Sequence, residues 1–295
     1  MDELKRLNIE LSAHCGYKCV SCPNTYMERN KGHMSLDLFN RIFDEIDGRV
    51  QKVFLWNYGE SLLNPNVGSM IYRTQDSSTY TVLSTTGSRL TKLEDLRFLG
   101  ALDELIISIN GLTQEIYEFH QVNGNLDNVK RGLARIAPIM EGSDTEYILQ
   151  FVANLRNLEQ VKELNDFAME FCFKRVVVKS FNVMDGSDQT FRDFVPVGTK
   201  FSRYKQDKKT YIPPEDKIEP CLEWMVINHN GDVNPCCWDY RGEYIMGNVG
   251  EEGVYVVWNS KKMIEHRKMI KSRHYLPICV DCKNGKVVMD WEVEK

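Results

Sequence analysis

Residues 7–22 read LNIELSAHCGYKCVSC, a short apolar run followed at once by three cysteines in the spacing C-x3-C-x2-C. The run has the length and composition of a strand, and the cysteines fall on the loop that leaves it. Downstream the same alternation repeats: LDLFNRIFDEI, then KVFLWNY; TVLSTTG, then KLEDLRFLG; ELIISING, then NVKRGLARIAPIM; YILQFVAN, then VKELNDFAMEF; and RVVVKSFNV. Strands of four to eight residues alternating with helices predict an α/β fold, with right-handed crossovers and a parallel sheet. Six strands by about residue 183 fall short of the eight of a closed barrel. The expectation is a partial (β/α)6 TIM-like barrel over residues 1–184, with its site at the C-terminal ends of the strands. Residues 185–219, charged and Pro-containing, read as a connector or substrate-covering loop. Residues 220–295 read as a small α+β part: VINHNGDVNPCCWDY as two short strands on an Asn-Gly turn, EGVYVVWNSKKMIEHRKMIK as a helix with its tryptophan near the start.

The chain has 295 residues, 42% hydrophobic and 27% charged, with a net charge of -5. An acidic balance gives no reason to expect nucleic acid, whose binders carry a basic face. No window approaches the roughly 20 apolar residues of a membrane helix, and the first residues, MDELKRLNIELS, carry no secretory h-region. A cytoplasmic protein with no membrane partner is the expectation.

In a reducing compartment, clustered cysteines are metal ligands or catalytic groups more often than disulfides. Eight of the nine fall in two clusters; Cys172 stands alone in an apolar helical pattern and reads as a small buried hydrophobe. In the first cluster the number of thiolates is informative. Structural zinc and electron-transfer clusters both want four ligands. Cys15, Cys19 and Cys22 supply three, which leaves one iron of a [4Fe-4S] cluster open to a bidentate ligand such as an amino acid's amino and carboxylate groups. The alternative is a zinc knuckle that borrows His14 or His33.

This pattern resembles the radical S-adenosylmethionine (SAM) superfamily. The resemblance implies that the reduced cluster cleaves SAM to a 5'-deoxyadenosyl radical that abstracts a substrate hydrogen, with the protein positioning the cofactor. It implies further that Gly59 and Glu60, in NYGES, hold the SAM amino group, that Ser84 in STTG reaches the ribose, that Ser108 in SING belongs to the fourth-strand SAM motif, and that Asn154, closing the fifth strand in VANLRN, is a SAM-site asparagine. Thr86 and Asn110 depart from the family's asparagine and aspartate. Ser21 stands where the family places an aromatic beside the adenine. A flavodoxin or ferredoxin is the electron donor that the family implies.

The second cluster, Cys221, Cys236, Cys237, Cys279 and Cys282, has enough thiols for a four-ligand site, zinc or iron–sulfur. Its order resembles the shortened "twitch" version of the SPASM domain, which implies one auxiliary [4Fe-4S] cluster held by Cys221, Cys236, Cys279 and Cys282. Cys237 is left over, or exchanges with Cys236. Twitch-bearing aminocyclitol dehydrogenases and sugar epimerases are the relatives that the layout suggests. A dehydrogenase would take a carbinol carbon of a carbohydrate-like small molecule (sugar, aminocyclitol or nucleoside type) to a ketone through the auxiliary cluster. An epimerase would use the Cys237 thiol as hydrogen-atom donor. A peptide-modifying maturase ranks lower, because the chain begins almost at its first strand. A non-enzymatic iron–sulfur or zinc protein is the remaining class. Arg203, Lys179, Asp188 and Arg192 lie where substrate is expected, and each reads first as a solvated charge.

Overall fold

The computed structural model describes residues 3–184, 186–204, 219–280 and 287–293. The six sequence runs become β1 (Arg6–Ile9), β2 (Lys52–Phe54), β3 (Tyr80–Thr85), β4 (Glu104–Ser108), β5 (Glu146–Ala153) and β6 (Arg175–Ser180). Four further strands follow among the described residues: β7 (Trp224–Ile227), β8 (Asp232–Asn234), β9 (Gly247–Asn248) and β10 (Val287–Glu292). The helices that follow these strands in the first two-thirds of the chain are α1 (Leu36–Ile46), α2 (Val67–Thr74), α3 (Gln114–His120), α4 (Leu126–Glu141), α5 (Leu164–Glu170) and α6 (Asp188–Phe194). The α/β class read from the sequence is the class observed.

Contacts gather the chain into two compact units that do not follow its linear order. One comprises Met1–Cys15, Met27–Leu83 and Thr210–Lys283; the other comprises Gly16–Tyr26, Ser84–Lys209 and Asn284–Lys295. In the first unit β1 is central and pairs in parallel on both sides, Arg6 opposite Lys52 of β2 and opposite Trp224 of β7. β3 runs parallel to β2, while β7, β8 and β9 are antiparallel to one another in turn. The β7–β8 turn is the Asn-Gly turn expected, with Gly231 at φ +91. Helix α1 starts at Ser35, whose side chain accepts the Leu38 N–H, and buries Leu38, Phe39, Ile42, Phe43 and Ile46 at helical spacing.

In the second unit β4, β5 and β6 are parallel, and β10 closes the outer side of β6 antiparallel. One face of β5 carries Tyr147, Leu149, Phe151 and Ala153, all fully buried. Its other face carries Glu146, Gln150 and Val152, half-exposed, in register with Ser108 of β4 and Lys179 of β6. The apolar face belongs to the core; the partly polar face is the one available for chemistry.

Three local expectations change. The KLEDLRFLG segment forms only a short 3-10 helix, Arg97–Ala101, because Asp95 bonds the Arg97 backbone and side chain and so terminates any longer helix. The single helix expected over 252–271 is two, Val254–Trp258 and Lys261–Lys271, divided where Ser260 caps the second through Met263 N. Cys172 is not a buried helical residue: it is half-exposed, just past α5, in the left-handed region at φ +59. The Phe173 N–H bonds Ala168 O there, so the helix ends with a cysteine where glycine is usual. Within the connector, residues 188–194 form α6, and Phe194, Val195 and Tyr204 join Phe181 and Val183 in an apolar cluster. The charged stretch at 205–217 lies outside the described residues.

Candidate active site

In the first unit β1 continues into residues 10–15, and the loop after β2 folds directly onto it. Gly59 makes this approach possible, since a Cβ there would stand 1.8 Å from the Ser12 carbonyl oxygen. Next to it the Glu60 N–H donates to His14 O at 2.7 Å. The Glu60 side chain is buried and accepts the Leu62 N–H at 3.1 Å, capping the turn at Ser61–Leu63. Cys15, Gly59 and Glu60 are therefore brought together. The rings of His14 and His33, the zinc alternative, lie 5.0 Å apart, and burial and then the charges of His14 and His229 hold His33 below its ordinary pKa.

In the second unit Cys19 and Cys22 share a tight turn, with Cys22 N donating to Cys19 O at 3.1 Å. The loop is pinned by Lys18 N to Val122 O at 3.0 Å and by Val20 N to His120 O at 2.9 Å. Ser21 takes φ +63, and its hydroxyl accepts the Met184 N–H beyond β6. Ser84 is half-exposed on β3; the Ser108 hydroxyl, at the end of β4, accepts from Gln150 Nε2 at 3.0 Å. Asn110 accepts the Val152 N–H at 2.8 Å through Oδ1, and Thr86 donates to the Ser88 hydroxyl at 3.0 Å. Asn154 is buried, with Nδ2 at 3.2 Å from His120 Nδ1 and Oδ1 accepting Arg156 N at 2.9 Å. Burial pushes His120 down to about 4, so it is neutral at physiological pH. Lys179, half-buried at the end of β6, is held below its ordinary pKa by desolvation and then by the Arg203 charge. Arg203 Nε donates to the Ser180 hydroxyl at 2.8 Å. Asp188 and Arg192 lie on α6, where Arg192 donates to Gln189.

The second cysteine set returns to the first unit. Cys221 lies in the short helix Glu219–Leu222, Cys236 and Cys237 follow β8, and Cys279 lies in the turn of helix Pro277–Val280. Cys282 lies outside the described residues. The Cys236–Cys237 loop is shaped by Asp239, which accepts the N–H groups of Glu243 at 2.9 Å and Tyr244 at 3.0 Å. The Tyr58 hydroxyl donates to Cys237 O.

Residues 9–164, more than half of the chain, match the family model described as the radical SAM superfamily. The chain belongs to the radical SAM superfamily. Residues 221–283 match SPASM, an iron-sulfur cluster-binding domain. The S-adenosyl-L-methionine-dependent 2-deoxy-scyllo-inosamine dehydrogenase of Niallia circulans is 22% identical, over 97% of this chain and 96% of that protein. The tungsten-containing aldehyde ferredoxin oxidoreductase cofactor-modifying protein of Pyrococcus furiosus is 22% identical, over 95% of this chain and 87% of that protein. Among solved structures, BtrN in complex with AdoMet and 2-DOIA matches with TM-score 0.59 and 18% identity, covering 96% of this chain and 95% of BtrN. Streptococcus suis SuiB bound to S-adenosylmethionine matches with TM-score 0.65 and 15% identity, covering 97% of this chain and 74% of SuiB. The fold is thus that of the family, and the chain is a radical SAM enzyme whose cofactors are SAM and [4Fe-4S] clusters.

The residues present suit those groups. Burial raises the thiol pKa of Cys236, Cys237, Cys221 and Cys279, that of Cys237 to about 11, and the Cys236 thiol is raised further by Cys237, Cys221 and Cys279. Half-buried thiols that feel one another's charge form a donor set that a cationic iron–sulfur group would stabilise as thiolates. The eight described cysteines are thiols of intermediate exposure. Among the described residues no three His, Cys, Asp or Glu side chains stand in metal-holding geometry. No helix among them is long and apolar enough to cross a membrane.

The sequence reading missed one cluster. Glu10, fully buried at the end of β1, accepts both arms of Arg29, with Arg29 Nη1 at 2.8 Å from Oε2. The His229 backbone and ring nitrogens approach the same oxygen at 3.4 Å, and Tyr58 N approaches Oε1 at 3.5 Å. Desolvation pushes the carboxyl up, but the hydrogen bonds of His229 and Arg29 and their charges outweigh it and hold Glu10 down at about 2. The available signal was an acid inside the run NIELS, between two residues that must face the core.

Proposed function

We propose that this radical SAM enzyme is an oxidoreductase that takes a carbinol carbon of a hydroxylated small molecule, of sugar, aminocyclitol or nucleoside type, to the ketone. The supporting observation is similarity along nearly the full length of both chains to the 2-deoxy-scyllo-inosamine dehydrogenase, joined to a SPASM match whose cysteines suffice for one auxiliary cluster. Bound together, cluster and SAM supply one-electron chemistry that removes a hydrogen atom from an unactivated carbon. Cys15, Cys19 and Cys22 hold the first cluster. Gly59 and Glu60 orient the SAM ammonium, a charge-assisted role for the carboxylate. Ser84 presents its hydroxyl to the ribose, Ser108 contributes to the SAM site from the end of β4, and Asn154 shapes the site through its bond to neutral His120. Cys221, Cys236, Cys279 and Cys282 hold the auxiliary cluster. The assigned domains are 1–184 for the barrel part, 185–219 for the connector and 220–295 for the twitch part, in a cytoplasmic enzyme served by a flavodoxin- or ferredoxin-type donor.

The adjacent thiols Cys236 and Cys237 favour a second reading. One ligand position leaves one thiol to spare, and Cys237 would return hydrogen to the opposite face of the carbon in an epimerase. Incubating the reconstituted enzyme with 2-deoxy-scyllo-inosamine and a panel of hexoses and nucleosides in D2O separates the readings. Ketone without carbon-bound deuterium supports dehydrogenation; deuterium at an inverted carbon, lost in Cys237→Ala, supports epimerisation. SAM cleavage with neither product from the panel would refute the small-molecule reading and turn attention to peptides.

A further inference from the structure

We propose that Glu10 is a positioning residue shared by two loops: residues 58–60, of which Gly59 and Glu60 are assigned to the SAM ammonium, and residues 236–240, which carry the assigned auxiliary ligand Cys236. The inference rests on those assignments for its meaning, and on the geometry of one compact unit for its support. Leu7, Ile9 and Leu11 are fully buried, so the Glu10 carboxylate sits in a buried segment at the end of β1. Removing a carboxylate from water costs several kcal/mol unless close partners compensate. The partners here come from three separate stretches of chain. Arg29 supplies a two-pronged fork, and its remaining Nε donates to Tyr240 O at 3.1 Å. Tyr58 N reaches the carboxylate, while the hydroxyl of the same residue donates to Cys237 O. His229, on the β7–β8 turn, reaches it with backbone and ring, and Gly32 is the residue that makes room, since a Cβ there would stand 2.8 Å from the His229 ring.

The result is a closed circuit. From Glu10 one path runs through Arg29 to Tyr240 O, and the other through Tyr58 to Cys237 O, three residues apart on the auxiliary loop. Both paths end on backbone carbonyls, so they fix where the loop runs irrespective of its side chains. Tyr58 immediately precedes Gly59 and Glu60, so one anchor serves both loops. An apolar core residue would hold β1 equally well; what the carboxylate adds is the fixed placement of Arg29 and Tyr58.

The test uses full-length protein in two forms. In a background carrying Cys15→Ala, Cys19→Ala and Cys22→Ala, only the auxiliary cluster remains, and its electron paramagnetic resonance spectrum and reduction potential are read after Glu10→Gln and after Tyr58→Phe. In the unaltered background, SAM affinity is read by calorimetry. The expected result is an altered spectrum and potential in both variants, and about tenfold weaker SAM binding in Glu10→Gln. Unchanged auxiliary signals and SAM affinity in folded variants would overturn the proposal. If Glu10→Gln does not fold, Tyr58→Phe, which removes one hydroxyl, decides through the auxiliary signal. If the triple-alanine protein holds no cluster, the auxiliary assignment is what fails, and the SAM measurement decides the role of Glu10.

Discussion

Gly59→Ala is the substitution whose cost follows most directly from the coordinates. The added Cβ would lie 1.8 Å from Ser12 O, 2.6 Å from the Ser12 carbonyl carbon and 2.8 Å from that of Ala13. Non-bonded atoms rest at about 3.5 Å, so the two segments must part by roughly 1.5 Å. All three obstacles are backbone, and no rotamer change relieves them. Parting the segments breaks the Glu60 N–H to His14 O bond, made by the backbone of a buried residue, at about 1–3 kcal/mol. Strain in the surrounding packing adds about 1–3 kcal/mol. The expected destabilisation is about 2–6 kcal/mol, a large share of the roughly 5–15 kcal/mol that holds a typical domain. Thermal melts followed by circular dichroism should fall by at least about 5 °C, and SAM binding should weaken with them. Gly142→Ala is the control: it follows α4 at φ -88, and its Cβ would meet nothing closer than 3.4 Å. If Gly59→Ala melts within about 1 kcal/mol of the parent, the close approach is not a constraint and the reasoning fails.

Changing Cys15, Cys19 and Cys22 to alanine should remove about four of roughly eight bound irons together with all SAM cleavage, and cleavage retained in that protein would sink the assignment. Acid unfolding should carry the signature of Glu10. Its pKa is lowered from 4.5 to about 2, so its stabilisation is complete above the unfolded value and is lost as pH falls through 4.5 toward 2, by about 3 kcal/mol. Glu10→Gln should flatten that part of the pH–stability curve, and an unchanged acid limb would contradict the ion pair. Cys172→Gly should raise the melting point, because the left-handed conformation costs a side-chain-bearing residue about 1 kcal/mol; a lower melting point would show that the thiol contributes more by packing.

The first six strands were legible because each is buried on at least one face and is therefore an apolar run that survives without its neighbours. β9 has two residues, too few for a periodicity, whereas β10, VVMDWE, alternates over six residues, with Val287, Met289 and Trp291 at one set of positions and Asp290 and Glu292 at the other, a strand signal that the sequence reading passed over. β10 is held by charge across the strands: Arg175 bonds both Asp290 and Glu146, at a separation of 115 residues for the first. The C-x3-C-x2-C spacing could be read because it falls within eight consecutive residues, whereas Cys221, Cys236, Cys237 and Cys279 come from separate elements. The Glu10 circuit was not legible, because its partners lie 19, 48 and 219 residues away and carry no shared pattern.

The departures from family pattern acquire a physical reading once their hydrogen bonds are known. Ser21 replaces an aromatic, and its hydroxyl ties the cysteine loop to Met184 while the adjacent Val20 packs on the cluster of Phe181 and Phe194. Asn110 replaces an aspartate, and its amide oxygen accepts the Val152 N–H that a carboxylate oxygen would also accept. Thr86 replaces an asparagine, and its oxygen accepts the Ser88 N–H while its hydroxyl donates to Ser88 Oγ, closing a turn upon itself. In each case the polar side chain serves the loop's own backbone, or a neighbouring strand's. These loops are therefore shaped by the chain itself before any cofactor arrives, which lowers the conformational entropy that binding must otherwise overcome. Loops held in this way by their own hydrogen bonds keep their shape when individual side chains change, which suits them to the cofactor-binding role proposed for them.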